Sequence, residues 1–148
     1  MLIRLIIINL LIIPTICFAT LGENQNSIEK DHQKLSSVYS ITKTSQNNFD
    51  YQIFSFQTDN NLRIREFSLN NKVFAITWSG SMYPDFQQLL GQYFSQMKTA
   101  KNIGIGLTSR RYVGNDFIFH LNGVPGLLSG IAYIPSIAPK NINIYSLK

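Results

Sequence analysis

From Ser37 onward apolar and polar residues tend to alternate, the period of a strand with one face on a core. Val38 to Lys43 is short and β-branched. Phe49 to Gln57 (FDYQIFSFQ) carries Phe49, Tyr51 and Ile53 in one phase and Phe54 and Phe56 in the other. That slip predicts either a bulge or a strand covered on both faces. Asp59-Asn60-Asn61 supplies a turn, and Leu62 to Leu69 then opposes Leu62 and Ile64 to Arg63 and Arg65. Asn70-Asn71 predicts a two-residue hairpin, because asparagine tolerates positive φ. Lys72 to Trp78 sets Phe74, Ile76 and Trp78 against Val73, Ala75 and Thr77. Sequential strands joined by short turns read as an antiparallel meander.

The period then changes. Phe86, Leu89, Leu90, Tyr93 and Met97 recur at helical spacing, with Gln87, Gln88, Gln92 and Ser95 on the other side. Pro84 suits a first helical turn and Asp85 complements the positive end of the dipole. One amphipathic helix is expected, with Gly91 in its middle at a cost of about 1 kcal/mol relative to alanine. After Lys101 glycines punctuate the chain. Asp116 to Leu121 alternates again, Asn122-Gly123 predicts a turn, and Leu128 to Ile134 predicts the second strand of a closing hairpin. The tail NINIYSLK reads as a short edge strand or a mobile end. The fold class expected is α+β: an antiparallel β-meander, one packed amphipathic helix and a C-terminal β-hairpin.

The N-terminus has a different character. Residues 1–19 (MLIRLIIINLLIIPTICFA) place Arg4 before an apolar run broken only by Asn9, with Pro14 beyond it and small residues Cys17 and Ala19 at −3 and −1. This is the pattern of a secretory signal peptide cleaved after Ala19. The competing readings are an uncleaved membrane anchor and a lipoprotein at Cys17, the latter disfavoured by Ile16 where a small residue is needed. Residues 20–36 are polar; Ile28, His32 and Leu35 share one helical face, so a short helix capped by Asn26 or Ser27 and a solvated tail are both open. Residues 37–148 make one domain. Cleavage would remove Cys17, the sole cysteine, and leave about 129 residues without disulfide or thiol chemistry. The address implied is periplasmic or extracellular.

Composition refines this picture. The chain of 148 residues is 45% hydrophobic but only 14% charged, against roughly 25% in soluble proteins, so its surface rests on Asn, Gln, Ser and Thr. Without Arg4 the balance is 12 basic to 8 acidic residues, a net +4. The basic residues are scattered, with Arg63 and Arg65 on one strand face and Arg110 beside Arg111, too sparse for a nucleic-acid stripe.

The run RIREFSLNNKVFAITWSGSMYPDFQQLLGQYF (63–94) resembles the signature of the DUF2844 family of small exported bacterial proteins. The matching residues are Arg65-Glu66-Phe67, Val73-Phe74-Ala75, Trp78, Gly80, Pro84-Asp85, Leu89-Leu90-Gly91 and Tyr93-Phe94. GNDFIF and LSGIAYIP, at 114–119 and 128–135, are similar to the family's closing hairpin. Ser81 stands where the family often has proline, and Asn70-Asn71 where it usually has glycine. The resemblance implies a signal peptide, a bacterial source and an extracytoplasmic address; it carries no activity, cofactor or catalytic residue.

Candidate chemistry is sparse. His120 shares a strand face with Asp116 and Ile118, a base-plus-carboxylate pair in principle. Ser79-Gly80-Ser81 lies at a strand-to-helix turn without the spacing of a nucleophile elbow. Gly104-x-Gly106 is too short for a dinucleotide fingerprint. No histidine, cysteine or acidic cluster has metal spacing, so no metal or cofactor is expected. The densest constellation is Trp78, Gly80, Tyr83, Pro84 and Asp85. It reads as a recognition patch, or as a tryptophan sealing the core above a turn and a helix start. Three readings follow. The first is a non-enzymatic binding protein for an envelope or secreted protein. The second is a small hydrolase using His120 with Asp116 or Ser81. The third is an envelope protein held by an uncleaved signal.

Overall fold

Asn70 and Asn71 adopt φ of 50° and 64°, the two consecutive left-handed residues of a tight hairpin turn. They join β3 (Arg63–Leu69) to β4 (Lys72–Gly80). In the computed structural model, which describes residues 20–35, 38–46, 49–104, 106 and 108–147, this hairpin is the middle of a seven-stranded sheet. Its other strands are β1 (Val38–Gln46), β2 (Phe49–Gln57), β5 (Ser109–Val113), β6 (Ile118–Val124) and β7 (Leu127–Tyr133). The order is β1-β2-β3-β4-β7-β6-β5, antiparallel at every pairing. The leader read at residues 1–19 lies outside the described residues. Among the described residues no helix is long and apolar enough to cross a membrane.

The phase slip in β2 resolves as coverage on both faces. β2 keeps an unbroken register with β1 and β3. Phe54 and Phe56 pack in a core beneath the helices, while Tyr51 and Ile53 join a second core on the opposite face. The register shift falls instead in β3, between Phe67 and Ser68. The helix-side core gathers Ile64, Ile76, Trp78, Phe119 and Ala132 from the sheet against Leu21, Ile28, Leu89 and Leu90. The other core gathers Tyr51, Phe67, Phe74 and Ile131 beneath Ile137, Ile142, Ile144 and Leu147 of the C-terminal tail. The tail is therefore neither an edge strand nor a mobile end. It crosses the sheet and closes with a short 3₁₀ turn at Ile144–Ser146, where the Asn143 side chain accepts from the Tyr145 N–H.

Three further expectations are corrected. The amphipathic stripe does not form one helix. It breaks at Gly91 into α2 (Phe86–Leu90) and α3 (Gln92–Thr99), preceded in the chain by α1 (Asn26–Leu35). Gly91 sits at φ 49°, ψ −117°, a conformation open to glycine but strained for residues with a Cβ. Gly91→Ala should therefore cost about 1–3 kcal/mol, read as a lower urea midpoint at unchanged slope. A variant of wild-type stability would show that the stripe can run straight through position 91. Asn122-Gly123 is not the turn of the closing hairpin. Both residues stay in β6, and Pro125-Gly126 turns the chain, Gly126 at φ 89°, as a Pro-Gly pair does at the centre of a type II turn. Finally, α1 is capped by Asn24 rather than Asn26 or Ser27: its Oδ1 accepts from the Asn26 N–H at 3.0 Å.

The segment before α1 is tied to the sheet. Gly22 N–H donates to the Val73 carbonyl at 2.9 Å, Val73 N–H to the Glu23 carbonyl at 3.0 Å, and Leu21 N–H to the Leu89 carbonyl at 3.1 Å.

Candidate functional site

The antiparallel register lines up two transverse rows of side chains on the sheet face away from the helices. One row runs Arg63, Ser79, Ser129, Asn122; the next runs Arg65, Thr77, Ile131, His120, Arg111. Alternation explains this, since β3 sends Ile64 into the helix-side core and leaves its arginines to the other face. The tail crosses beside these rows, and its Tyr145 meets His120 edge-on at 6.0 Å. Between sheet and tail lies a cleft of about 480 Å³ lined by Arg63, Arg65, His120, Asn122, Ser129 and Tyr145, among others. The volume lies in the range of small-ligand sites. Among the described residues no carboxylate lines it.

Charge and hydrogen bonding follow from the neighbours. Partial burial, then the nearby Arg111 guanidinium, lower the His120 pKa, so the ring is favoured neutral. Its Nε2 shares a hydrogen bond of 3.1 Å with the Ser109 hydroxyl. Arg111 Nε is buried without a hydrogen-bond partner among the described residues. The cleft thus offers two guanidinium groups, an imidazole, an amide and hydroxyls, a set suited to carboxylate or phosphate oxygens.

Of the candidates singled out in the sequence, His120 lines the cleft, and the others fall elsewhere or take other work. Trp78 is 3% exposed, with Phe86 at 5.0 Å and Phe119 at 5.2 Å. Pro84 is buried. The Asp85 side chain accepts from the Gln88 N–H at 3.1 Å and so caps α2. Gly80 passes close to the Leu62 backbone, 3.0 Å from where a Cβ would stand. Of the five, only Tyr83 presents a largely exposed ring, at 52%. Asp116 does not partner His120: it accepts from the Ser136 N–H at 3.1 Å and from the Ser136 hydroxyl. Ser81 is exposed in the loop after β4. The dyad on which a hydrolase reading rested is not assembled.

The sequence model of DUF2844, a family of proteins of unknown function, matches residues 17–147. The chain belongs to the DUF2844 family. No curated protein and no solved structure matches it. The motif that carried the resemblance now has a physical reading in this DUF2844 chain. Arg65 lines the cleft, Phe67 anchors the tail-side core, Trp78 and Leu89-Leu90 build the helix-side core, and Gly91 makes the break between helices. The cleft itself was half visible in advance. Alternation alone puts Arg63 and Arg65 on one face, but the pairing that brings Asn122 and Ser129 beside them runs through β4 and β7.

Proposed function

We propose that this chain is an exported, non-enzymatic binding protein of the bacterial cell envelope, and that its cleft holds an acidic segment of an envelope or secreted protein. The observation that carries the reading is a cleft with Arg63, Arg65 and His120 in its walls and, among the described residues, no carboxylate there. Such a set attracts an anionic group and gives it directional donors. The leader-like residues 1–19 support the address. The His120–Ser109 contact, in place of a His120–Asp116 pair, supports binding over turnover.

Trp78, the single tryptophan, stands on β4 between the cleft residues Thr77 and Ser79 with its ring on the other face of the sheet, and reports on the cleft through the strand. Titrating the protein with an oligoglutamate decapeptide should change its fluorescence saturably, with affinity falling as salt rises. Arg63→Ser combined with Arg65→Ser should weaken binding about tenfold or more. An oligolysine decapeptide should give no response. Equal binding by wild type and double variant, or none by either, would remove the cleft as the binding site.

A further inference from the structure

β3 directs Ile64 and then Glu66 toward the helices. The second is a charged residue at a core position. Glu66 is 0% exposed, flanked in register by Phe54 and Ile76. Neither carboxyl oxygen has a hydrogen-bond partner among the described residues. A buried carboxylate without partners is among the costliest arrangements in a protein interior. A second acid makes it worse: Asp31 of α1, 2% exposed, also acts on Glu66. Burial first, then Asp31, push the Glu66 carboxyl well above the usual carboxylate range, with the Thr20 hydroxyl alongside opposing the rise. Asp31 is itself fixed, its Oδ1 accepting from Gln88 Nε2 at 2.7 Å.

Thr20 is also 0% exposed, and its hydroxyl lies close enough to Glu66 to hold its pKa down without completing a well-formed hydrogen bond to it or to any other described residue. Its position is held from its C-terminal side: its carbonyl accepts from Glu23 N–H at 3.1 Å, and Leu21 and Gly22 are bonded to α2 and β4. Thr20 is also the residue that follows the small-x-small run Cys17-Phe18-Ala19. The buried polar cluster and the cleavage pattern, read independently, meet at one residue.

We infer that the α-ammonium of Thr20, created when the leader is removed after Ala19, is the buried counter-ion of Glu66, so that processing completes the core. The inference rests on the export reading above. In the step itself a leader peptidase adds water across the Ala19–Thr20 amide. Ala19 departs with a new carboxylate, and the Thr20 nitrogen is left as a protonated amine. That group brings one positive charge and three donors to the orphaned carboxyl group. A chain still joined at Ala19 has only a neutral amide there, and its core holds the uncompensated acid.

The test begins with the full chain exported from a bacterial host and the first residue of the processed product read by mass. A second version carries one serine inserted between Ala19 and Thr20, leaving the cleavage site intact and the product one residue longer. Glu66→Gln is made in each. In the product beginning at Thr20, Glu66→Gln should lower the melting temperature by roughly 10 °C, as expected for breaking a buried pair. In the extended product it should leave the melting temperature unchanged or raise it, because there it removes a buried acid without a counter-ion. The Thr20 amine of the folded wild-type product should also react with acetic anhydride at least tenfold more slowly than in urea. The same Glu66→Gln shift in both backgrounds, or an amine as reactive folded as unfolded, overturns the pairing while leaving the export reading intact. A first residue other than Thr20 overturns the cleavage reading and the pairing with it.

Discussion

Trp78→Ala should destabilise the fold by about 3–5 kcal/mol, the range for removing a large buried aromatic. This is a large share of the roughly 5–15 kcal/mol that holds a domain together. The ring touches Phe86 and Phe119, and it lies directly over Gly130, its register partner on β7. A Cβ at Gly130 would fall inside contact distance of the indole and 2.6 Å from the His120 carbonyl oxygen. Gly130→Ala should therefore cost about 1–3 kcal/mol in the wild type and less once Trp78 is alanine, because the indole clash is then gone while the one with the His120 carbonyl remains. Urea unfolding followed by far-UV circular dichroism gives all four corners of the cycle. A Trp78→Ala protein as stable as wild type, with binding alone impaired, would instead make the tryptophan a recognition residue.

Leu147→Ala should cost about 2–5 kcal/mol although it lies beside the last residue of the chain. Leu147 is 5% exposed and seals the tail-side core over Tyr51, Phe67 and Phe74. Tyr145→Ala, two residues earlier and half exposed, should leave stability within about 0.5 kcal/mol, as for an exposed position, while altering the wall of the cleft. The pair separates two roles of one tail. Equal stability losses in the two variants would mean that the 3₁₀ turn docks as a unit. No loss in either would show that the second core closes without the tail.

These elements differ in how far they could be read from the residues alone. The β3–β4 hairpin was legible because alternation and turn chemistry agree: Ile64 and Phe67 take opposite faces, and Asn70-Asn71 can take positive φ. β5 was not. SRRYV has no apolar alternation, and it is a strand because β6 offers it an edge. Asn122-Gly123 is a strong local turn signal that lost to Pro125-Gly126, the choice that lets β6 and β7 pair through Val124 and Leu127. The helix was read in place but not in continuity, since Gly91 is tolerated in a straight helix and its backbone angles decide otherwise. Alternation puts Trp78 on the same face as Ile76, but what covers it, Phe119, comes from forty-one positions away. Glu66 was hidden for a different reason. Strand parity assigns it to the core, but its chemistry argues the reverse, and only the structure shows that parity prevailed.

The strand order also sets a timetable for a newly made chain. β1 to β4 can pair as soon as they emerge, yet β4 receives its second neighbour only when β7 is complete. Meanwhile VFAIT, buried on both sides in the finished protein, is an open apolar edge of the kind that seeds aggregation. At roughly 5–20 residues per second of synthesis, the stretch from the end of β4 to the end of β7 leaves that edge bare for roughly 3–11 s. A chaperone that covers it during that interval should raise yield without touching final stability.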